Sequence, residues 1–271
     1  MTLPTPGPDR TCLVTGASAG IGVELSRQLA ARGHGVTLVA RREERLKVLA
    51  DELSTAHGIR AEVVTTDLTD AGARSALVET VAQRGLTVDV LVNNAGLSTT
   101  GPVASSDVDA ELRMIRTDVE AIVHLCSALV SGMVARGRGA VLNVASTAAF
   151  QPLPGQAGYA ASKAFVLAYT RALAQELRST GVTATVLCPG PVETEFAEVA
   201  GFGDLEAGDA LPKIMWVSAP DVARAAIDGL DKGRDVVIPG PANRVMAQLA
   251  QHTPRRVLLP ILARQHPSLK R

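Results

Sequence analysis

The chain carries no excess of either charge: its 27 Lys and Arg are matched by 27 Asp and Glu. No net field therefore draws it to nucleic acid, and no basic stripe with interleaved aromatics compensates, since aromatic residues make up only 3% of the 271 positions. Cysteine is scarce too. Cys12, Cys126 and Cys188 each lie in an apolar run, and three is too few and too odd a number for a disulfide scaffold. Buried thiols in a reducing compartment are expected. The opening MTLPTPGPDR lacks the apolar core of a secretory signal. No apolar run is expected to reach the roughly 20 residues that cross a bilayer. These absences point to a cytoplasmic chain, of a length that suits one α/β domain with a sizeable core.

What is present is alternation. Apolar runs of strand length at 11–15, 36–40, 61–65, 88–93, 140–144, 183–187 and 236–238 are rich in Val, Leu and Thr. Continuous runs of this kind suit parallel strands covered on both faces. Between them lie helix-period stretches at 22–32, 43–57, 70–84, 107–136, 159–179 and 221–232. Repeated βαβ units imply right-handed crossovers and a doubly wound parallel sheet of the Rossmann type, in a single domain over 1–271. Two regions break the pattern. Residues 195–217 mix acids with Phe, Met and Trp, and so long a loop is expected to be a substrate lid. Ser218 then resembles an N-cap ahead of Pro220 and Asp221. The tail 241–271 holds six basic residues and no acid.

The first strand leads into Gly16-Ala17-Ser18-Ala19-Gly20-Ile21-Gly22, which opens a helix. Glycines at such a turn let the backbone approach a pyrophosphate, whose charge the helix N-terminus stabilises. A tight turn without ligand would look alike. The same residues fit G-x-S-x-G, the nucleophile elbow of serine hydrolases. That elbow needs earlier strands and a later acid and histidine in order, whereas only fifteen residues precede Gly16. Where an acid would bind the ribose hydroxyl of NAD, at the close of the second strand, stands Ala40, followed by Arg41 and Arg42. Guanidinium groups without a competing carboxylate favour the 2′-phosphate of NADP(H) over NAD(H).

Tyr159 and Lys163 are four apart on a helix and share a face, and Ser146 stands thirteen residues before the tyrosine, after a strand. A phenol with a pKa near ~10 donates protons poorly at neutral pH. An adjacent ammonium stabilises the phenolate, and Ser146 would hold the substrate oxygen.

With these residues in place, the sequence resembles the short-chain dehydrogenase/reductase family over about residues 10–240. The motifs are Thr15 to Gly22, Asp67-Leu68, Asn93-Asn94-Ala95-Gly96, Ser146, Tyr159 to Lys163 and Pro189-Gly190-Pro191-Val192-Glu193-Thr194. The resemblance implies reduction of a ketone or aldehyde by hydride from a nicotinamide cofactor, or oxidation of the matching alcohol, with Tyr159 as acid or base. Arg41 and Arg42 make that cofactor NADP(H), and the apolar residues of 195–217 suggest a small hydrophobic carbonyl. The resemblance further implies that Gly16, Ser18, Gly20, Ile21, Gly22, Arg41 and Arg42 hold the phosphates. On the same basis Asp67 and Leu68 flank the adenine, Asn93, Asn94, Ala95 and Gly96 line the cleft, Val192 and Thr194 hold the carboxamide, and Pro189 and Gly190 also bind the cofactor. Lys163 also touches the nicotinamide ribose, and Tyr159 stands beside it. Homodimers or homotetramers are common among such proteins.

Two departures stand out. Ala19 replaces a basic residue frequent in NADP-preferring relatives. Asp118 takes the place of an asparagine whose carbonyl holds a water beside the lysine, and its carboxylate could pair with Lys163. A non-catalytic nucleotide sensor on the same fold is the alternative function. The tail, with Val245, Met246, Leu249, Val257, Leu258, Leu259, Ile261 and Leu262 among its arginines, is expected to pack on the core or a second copy; the alternative is an anionic membrane surface. Pro254 and Pro260 are expected to interrupt any long helix there.

Overall fold

A computed structural model describes residues 3–195 and 212–265. Seven parallel strands form one sheet in the order β3-β2-β1-β4-β5-β6-β7. They are β1 Arg10–Thr15, β2 Val36–Ala40, β3 Ala61–Thr65, β4 Thr87–Asn93, β5 Gly139–Val144, β6 Val182–Leu187 and β7 Val236–Val237. Each falls within a residue or two of the expected run. The order reverses between β1 and β4, and a doubly wound sheet opens its ligand crevice at the carboxyl ends of the strands at such a point.

The helices cover both faces: α1 Gly20–Ala30, α2 Glu43–His57, α3 Ala71–Gln83, α4 Val108–Ile115, α5 Ala121–Ala135, α6 Ala157–Glu176, α7 Ala219–Asp231, α8 Pro241–His252 and α9 Arg255–Gln265. Alternate strand residues feed opposite cores. Leu13 of β1 packs on the α3, α5 and α6 side, while Cys12 and Val14 pack under α1, α2 and α7. Each fully buried leucine or valine adds roughly 1.5–3 kcal/mol, which is why continuous apolar runs became central strands. All three cysteines are free and buried, as expected. Asp70, Asp107 and Ser218 cap α3, α4 and α7, each accepting a bond from a first-turn N–H.

The structure differs from what the sequence led one to expect at four places. The stretch 107–136 is not one regular helix: a π-helical turn, Arg116–Glu120, separates α4 from α5. Apolar residues on both sides make Val108–Ala135 long and apolar enough to cross a membrane by length and composition, contrary to the expected absence of such a run. Here it flanks the sheet, with Asp118 fully buried at its middle. In the tail, Pro254 does separate α8 from α9, but Pro260 lies inside α9. The tail's apolar residues divide: Ala247, Ala250 and Leu258 join the core, while Val245, Met246, Leu249, Val257 and Ile261 stay exposed. The greater part of the expected lid lies outside the described residues; its end forms a short turn, Lys213–Met215, leading to Ser218.

Candidate active site

A cleft of about 640 Å³ runs along the carboxyl edge of β1, β2, β4, β5 and β6, from Arg41 at one end to Tyr159 and Trp216 at the other. Its floor is the loop after β1. Gly16 and Gly20 adopt φ of +67° and +53°, conformations that side chains resist. Gly22 is required for another reason: a Cβ there would stand 2.2 Å from the Gly16 carbonyl oxygen. The loop is clamped to the end of β4, where Thr15 Oγ1 accepts from the backbone N–H groups of Asn94 and Ala95, each at 3.0 Å. Asn94 Nδ2 donates to the Thr15 carbonyl at 2.9 Å. Ala19 offers no side-chain cap to α1, and no acid lies in the first turn, so the helix presents uncapped N–H groups to the cleft. A pyrophosphate fits this cradle.

At the outer end, Ala40 closes β2 and Arg41 sits exposed on the rim, where its charge acts on Asp67. Asp67 is held below the ordinary carboxylate range, first by the Thr69 backbone N–H, which donates to it at 2.9 Å. Arg42 donates to Ser18 Oγ at 3.1 Å and to Glu195 at 2.8 Å, and Arg45 grips the other oxygen of Glu195 at 2.7 Å. Sequence reasoning did not anticipate this carboxylate between two arginines.

The inner end is built by β5, α6 and the π turn. Ser146 follows β5 and starts a short turn, Thr147–Phe150, its Oγ accepting from the Ala148 N–H at 3.1 Å. The Tyr159 hydroxyl is hydrogen-bonded to Ser146. Lys163, one helical turn on, is buried, with Nζ 5.6 Å from the Tyr159 ring centroid. Nζ donates to the Val144 carbonyl at 3.3 Å and pairs with Asp118 Oδ2 at 2.9 Å. The other oxygen, Oδ1, accepts from the Leu97 N–H at 2.7 Å. Gly96 leaves room for the pair, since a Cβ there would stand 3.1 Å from Nζ.

Charge in this corner is balanced against burial. Burial pushes the Asp118 carboxyl up, while Lys163 and the Leu97 N–H pull it down. Burial also works against the Lys163 ammonium, but the Asp118 charge and the Tyr159 oxygen outweigh it and raise its pKa. The phenol of Tyr159 is raised by burial; Lys163 and Ser146 act in the expected lowering direction without overcoming it, and Asp118 adds to the rise. This set can donate a proton from a phenol to an oxygen placed beside Ser146, with a fixed cation behind.

Of the residues singled out by sequence, Ser18, Arg41, Arg42, Asp67, Leu68, Ala95, Gly96, Ser146, Tyr159, Lys163, Pro189, Gly190, Val192 and Thr194 line the cleft, with Gly16, Gly20 and Ile21. Gly22 stands behind the loop. Asn93 does not face the cleft: its Nδ2 donates to Asn143 Oδ1 at 2.8 Å, and Asn143 in turn donates to Thr170 at 2.9 Å, linking β4, β5 and α6 below the site. Asn94, expected beside it, does line the cleft, because successive strand-end side chains point to opposite faces. Missed by sequence were Leu153, Gln156 and Leu262, which join Met215 and Trp216 at the Tyr159 end.

Residues 10–201 match the model of the short chain dehydrogenase family. Sulfoacetaldehyde reductase 2 of Chromohalobacter salexigens is 39% identical over 215 residues, 78% of this chain and 84% of that protein. A short-chain dehydrogenase from Sphingobium yanoikuyae, solved in complex with NADPH, superposes with a TM-score of 0.79 at 32% identity, covering 88% of this chain and 92% of that one. A 7beta-hydroxysteroid dehydrogenase structure superposes with a TM-score of 0.84 at 26% identity, over 97% of this chain and 99% of the other. With the parallel sheet and the glycine cradle, these matches make this chain a member of the short-chain dehydrogenase family.

Proposed function

We propose that this protein reduces a small ketone or aldehyde with NADPH, or oxidises the matching alcohol with NADP⁺, and that Tyr159 moves the proton. The observation that carries the reading is the joined set Ser146–Tyr159–Lys163 at the inner end of a dinucleotide-shaped cleft. When bound, NADPH supplies the hydride. Ser146 holds the substrate oxygen, and Tyr159 gives its hydroxyl proton to that oxygen as negative charge develops on it. Lys163 then stands with Nζ 5.6 Å from the centroid of the phenolate ring. Its charge favours the ionised phenol against the burial that disfavours it. Asp118 keeps Lys163 charged and fixes its position, at the cost of placing a second anion near the phenolate.

The preference for NADP(H) rests on Ala40 in place of an acid and on Arg41 and Arg42 at the rim, and the NADPH-bound neighbour supports it. The test is NADPH consumption over a panel of ketones and aldehydes, run beside NADH. Turnover with NADPH at much lower KM than NADH is expected. Tight NADPH binding with no turnover on any carbonyl would favour the non-catalytic sensor, the outcome that the Asp118–Lys163 pair keeps in view.

A further inference from the structure

The C-terminal helices carry a leucine into the cleft. Leu262 of α9 lines the same cavity as Tyr159, together with Leu153, Met215 and Trp216. Its neighbour Ile261 and, one turn back, Val257 are 47% and 55% exposed, so α9 turns one face outward and sets Leu262 inward. The helix is anchored rather than loosely apposed. Arg255 donates to the Phe150 carbonyl at 3.2 Å, at the end of the turn that Ser146 begins, and to the Ala250 carbonyl at 2.8 Å. Leu258 packs on the core.

Helix α8 stands behind the cavity and braces it. Asn243 is fully buried, and its Nδ2 donates to the carbonyls of Met215 at 2.9 Å and Pro239 at 3.0 Å. A Cβ on Gly190 would stand 2.3 Å from Asn243 Oδ1, so glycine at 190 lets α8 seat against the loop after β6. The last two helices thus brace the turn carrying Ser146, the loop carrying Val192 and the backbone of Met215.

Among the described residues, the charged groups lining the cleft are Arg41, Arg42, Asp67 and Glu195 at the nucleotide end, with Lys163 beneath Tyr159 and paired to Asp118. Beyond the hydroxyls of Ser146, Thr147 and Tyr159, the surface at the Tyr159 end is aliphatic, thioether and indole, with two neutral amides, Gln151 and Gln156, the latter donating to Ser98 at 3.1 Å. Binding sites of this make-up hold apolar ligands and orient them with a few polar groups.

We propose that α9 and the segment of Met215 and Trp216 braced by α8 form the substrate wall, that Leu262 and Trp216 are its specificity-determining residues, and that the wall selects an uncharged, apolar carbonyl compound over one bearing a carboxylate or sulfonate. This rests on the reading that the carbonyl sits beside Tyr159. Trp216 is the chain's single tryptophan, so its emission reports on the wall without any need for turnover.

The experiment titrates the full chain, loaded with NADP⁺, with 2-octanone and with 7-oxooctanoate, following Trp216 emission. The same two compounds are then assayed for NADPH oxidation, using wild type, Leu262→Ala and Leu262→Arg. Wild type is expected to bind the neutral ketone at least about tenfold tighter than the keto acid. Leu262→Ala should weaken the ketone about tenfold, the range for lost methylene contacts in an apolar pocket. Leu262→Arg should reverse the preference, and NADP⁺ affinity should stay within about twofold in all three proteins. Should the arginine variant misfold, Leu262→Gln replaces it with the same expected loss of ketone binding. Equal binding of both compounds by wild type, or Leu262 variants indistinguishable from it, overturns the proposal. Ketone binding that depends on Leu262 without NADPH oxidation leaves the wall standing and refutes the reaction proposed above.

Discussion

Replacing Asp118 by asparagine removes one negative charge from the buried corner with little change of shape. The amide oxygen can still accept from the Leu97 N–H that now bonds Oδ1 at 2.7 Å. What changes is the field at Tyr159. Asp118 Oδ2 lies 2.9 Å from Lys163 Nζ, which lies 5.6 Å from the Tyr159 ring centroid. The carboxylate is therefore within about 8.5 Å of the ring. At that separation and an effective dielectric near 20, a unit charge is worth about 2 kcal/mol. Lys163 masks part of it, so an effect of about tenfold on the rate is expected. The sign follows from the charge: an anion raises the phenol's pKa, so its loss lowers it. Alcohol oxidation needs the phenolate as base. The kcat/KM profile for oxidation by Asp118→Asn should therefore move towards acid, giving a rate about tenfold higher on the rising limb. The assay is NADP⁺ reduction with one alcohol across the pH range in both proteins. Coincident profiles refute the coupling. A move towards alkaline pH refutes its sign, and would mean that Lys163 loses its proton once its carboxylate partner is gone.

Three further outcomes are expected. Arg41→Ala should weaken NADPH by ~1.5–3 kcal/mol and leave NADH nearly unchanged, because Arg42 is already engaged by Ser18 and Glu195 whereas Arg41 stands on the open rim; fluorescence titration of both cofactors decides it, and equal wild-type affinities would sink the reading. Tyr159→Phe should abolish turnover with NADPH affinity kept, and Lys163→Ala should damage both, as steady-state kinetics beside equilibrium binding will reveal; substantial kcat in the phenylalanine variant would move the acid elsewhere. Gly22→Ala should destabilise the fold by at least ~1–3 kcal/mol in thermal or urea unfolding, since its Cβ would meet the Gly16 carbonyl at 2.2 Å; an unchanged midpoint would mean that α1 can shift away from the loop.

The strands were legible because a parallel strand buried on both faces leaves a largely apolar run, as in Val90-Leu91-Val92 of β4. Ser146, Tyr159 and Lys163 were legible because helical spacing and a strand end fix their relative direction. Asn93 was misplaced because a motif states which residues stand together, not which face each turns to; strand alternation from Val92 would have sent Asn93 and Asn94 opposite ways. The turn at Arg116–Glu120 was illegible because it changes hydrogen-bond offsets without changing the apolar pattern. Asn243 had a readable signal: Asn243, Ala247 and Ala250 are spaced four and three and share the packed face of α8. Leu262 had none, since its approach to the cleft depends on Arg255 reaching Phe150, more than a hundred residues away.

The π turn that carries Asp118 holds a consequence for how this corner can be altered. A π turn behaves as an α-helix with one extra residue, and each residue of an α-helix turns the chain by about 100°. Deleting a single residue between Arg116 and Glu120 would let α4 and α5 fuse into one regular helix, each keeping the face it now packs, because the wider turn already absorbs the extra residue. What would change is the turn itself: the backbone that places Asp118 against Lys163 would close up, and the side chain at that point would take another direction. The pairing of acid and ammonium therefore depends on chain length as well as on residue type, and a one-residue gap in this turn would uncouple them while the packing of α4 and α5 survives.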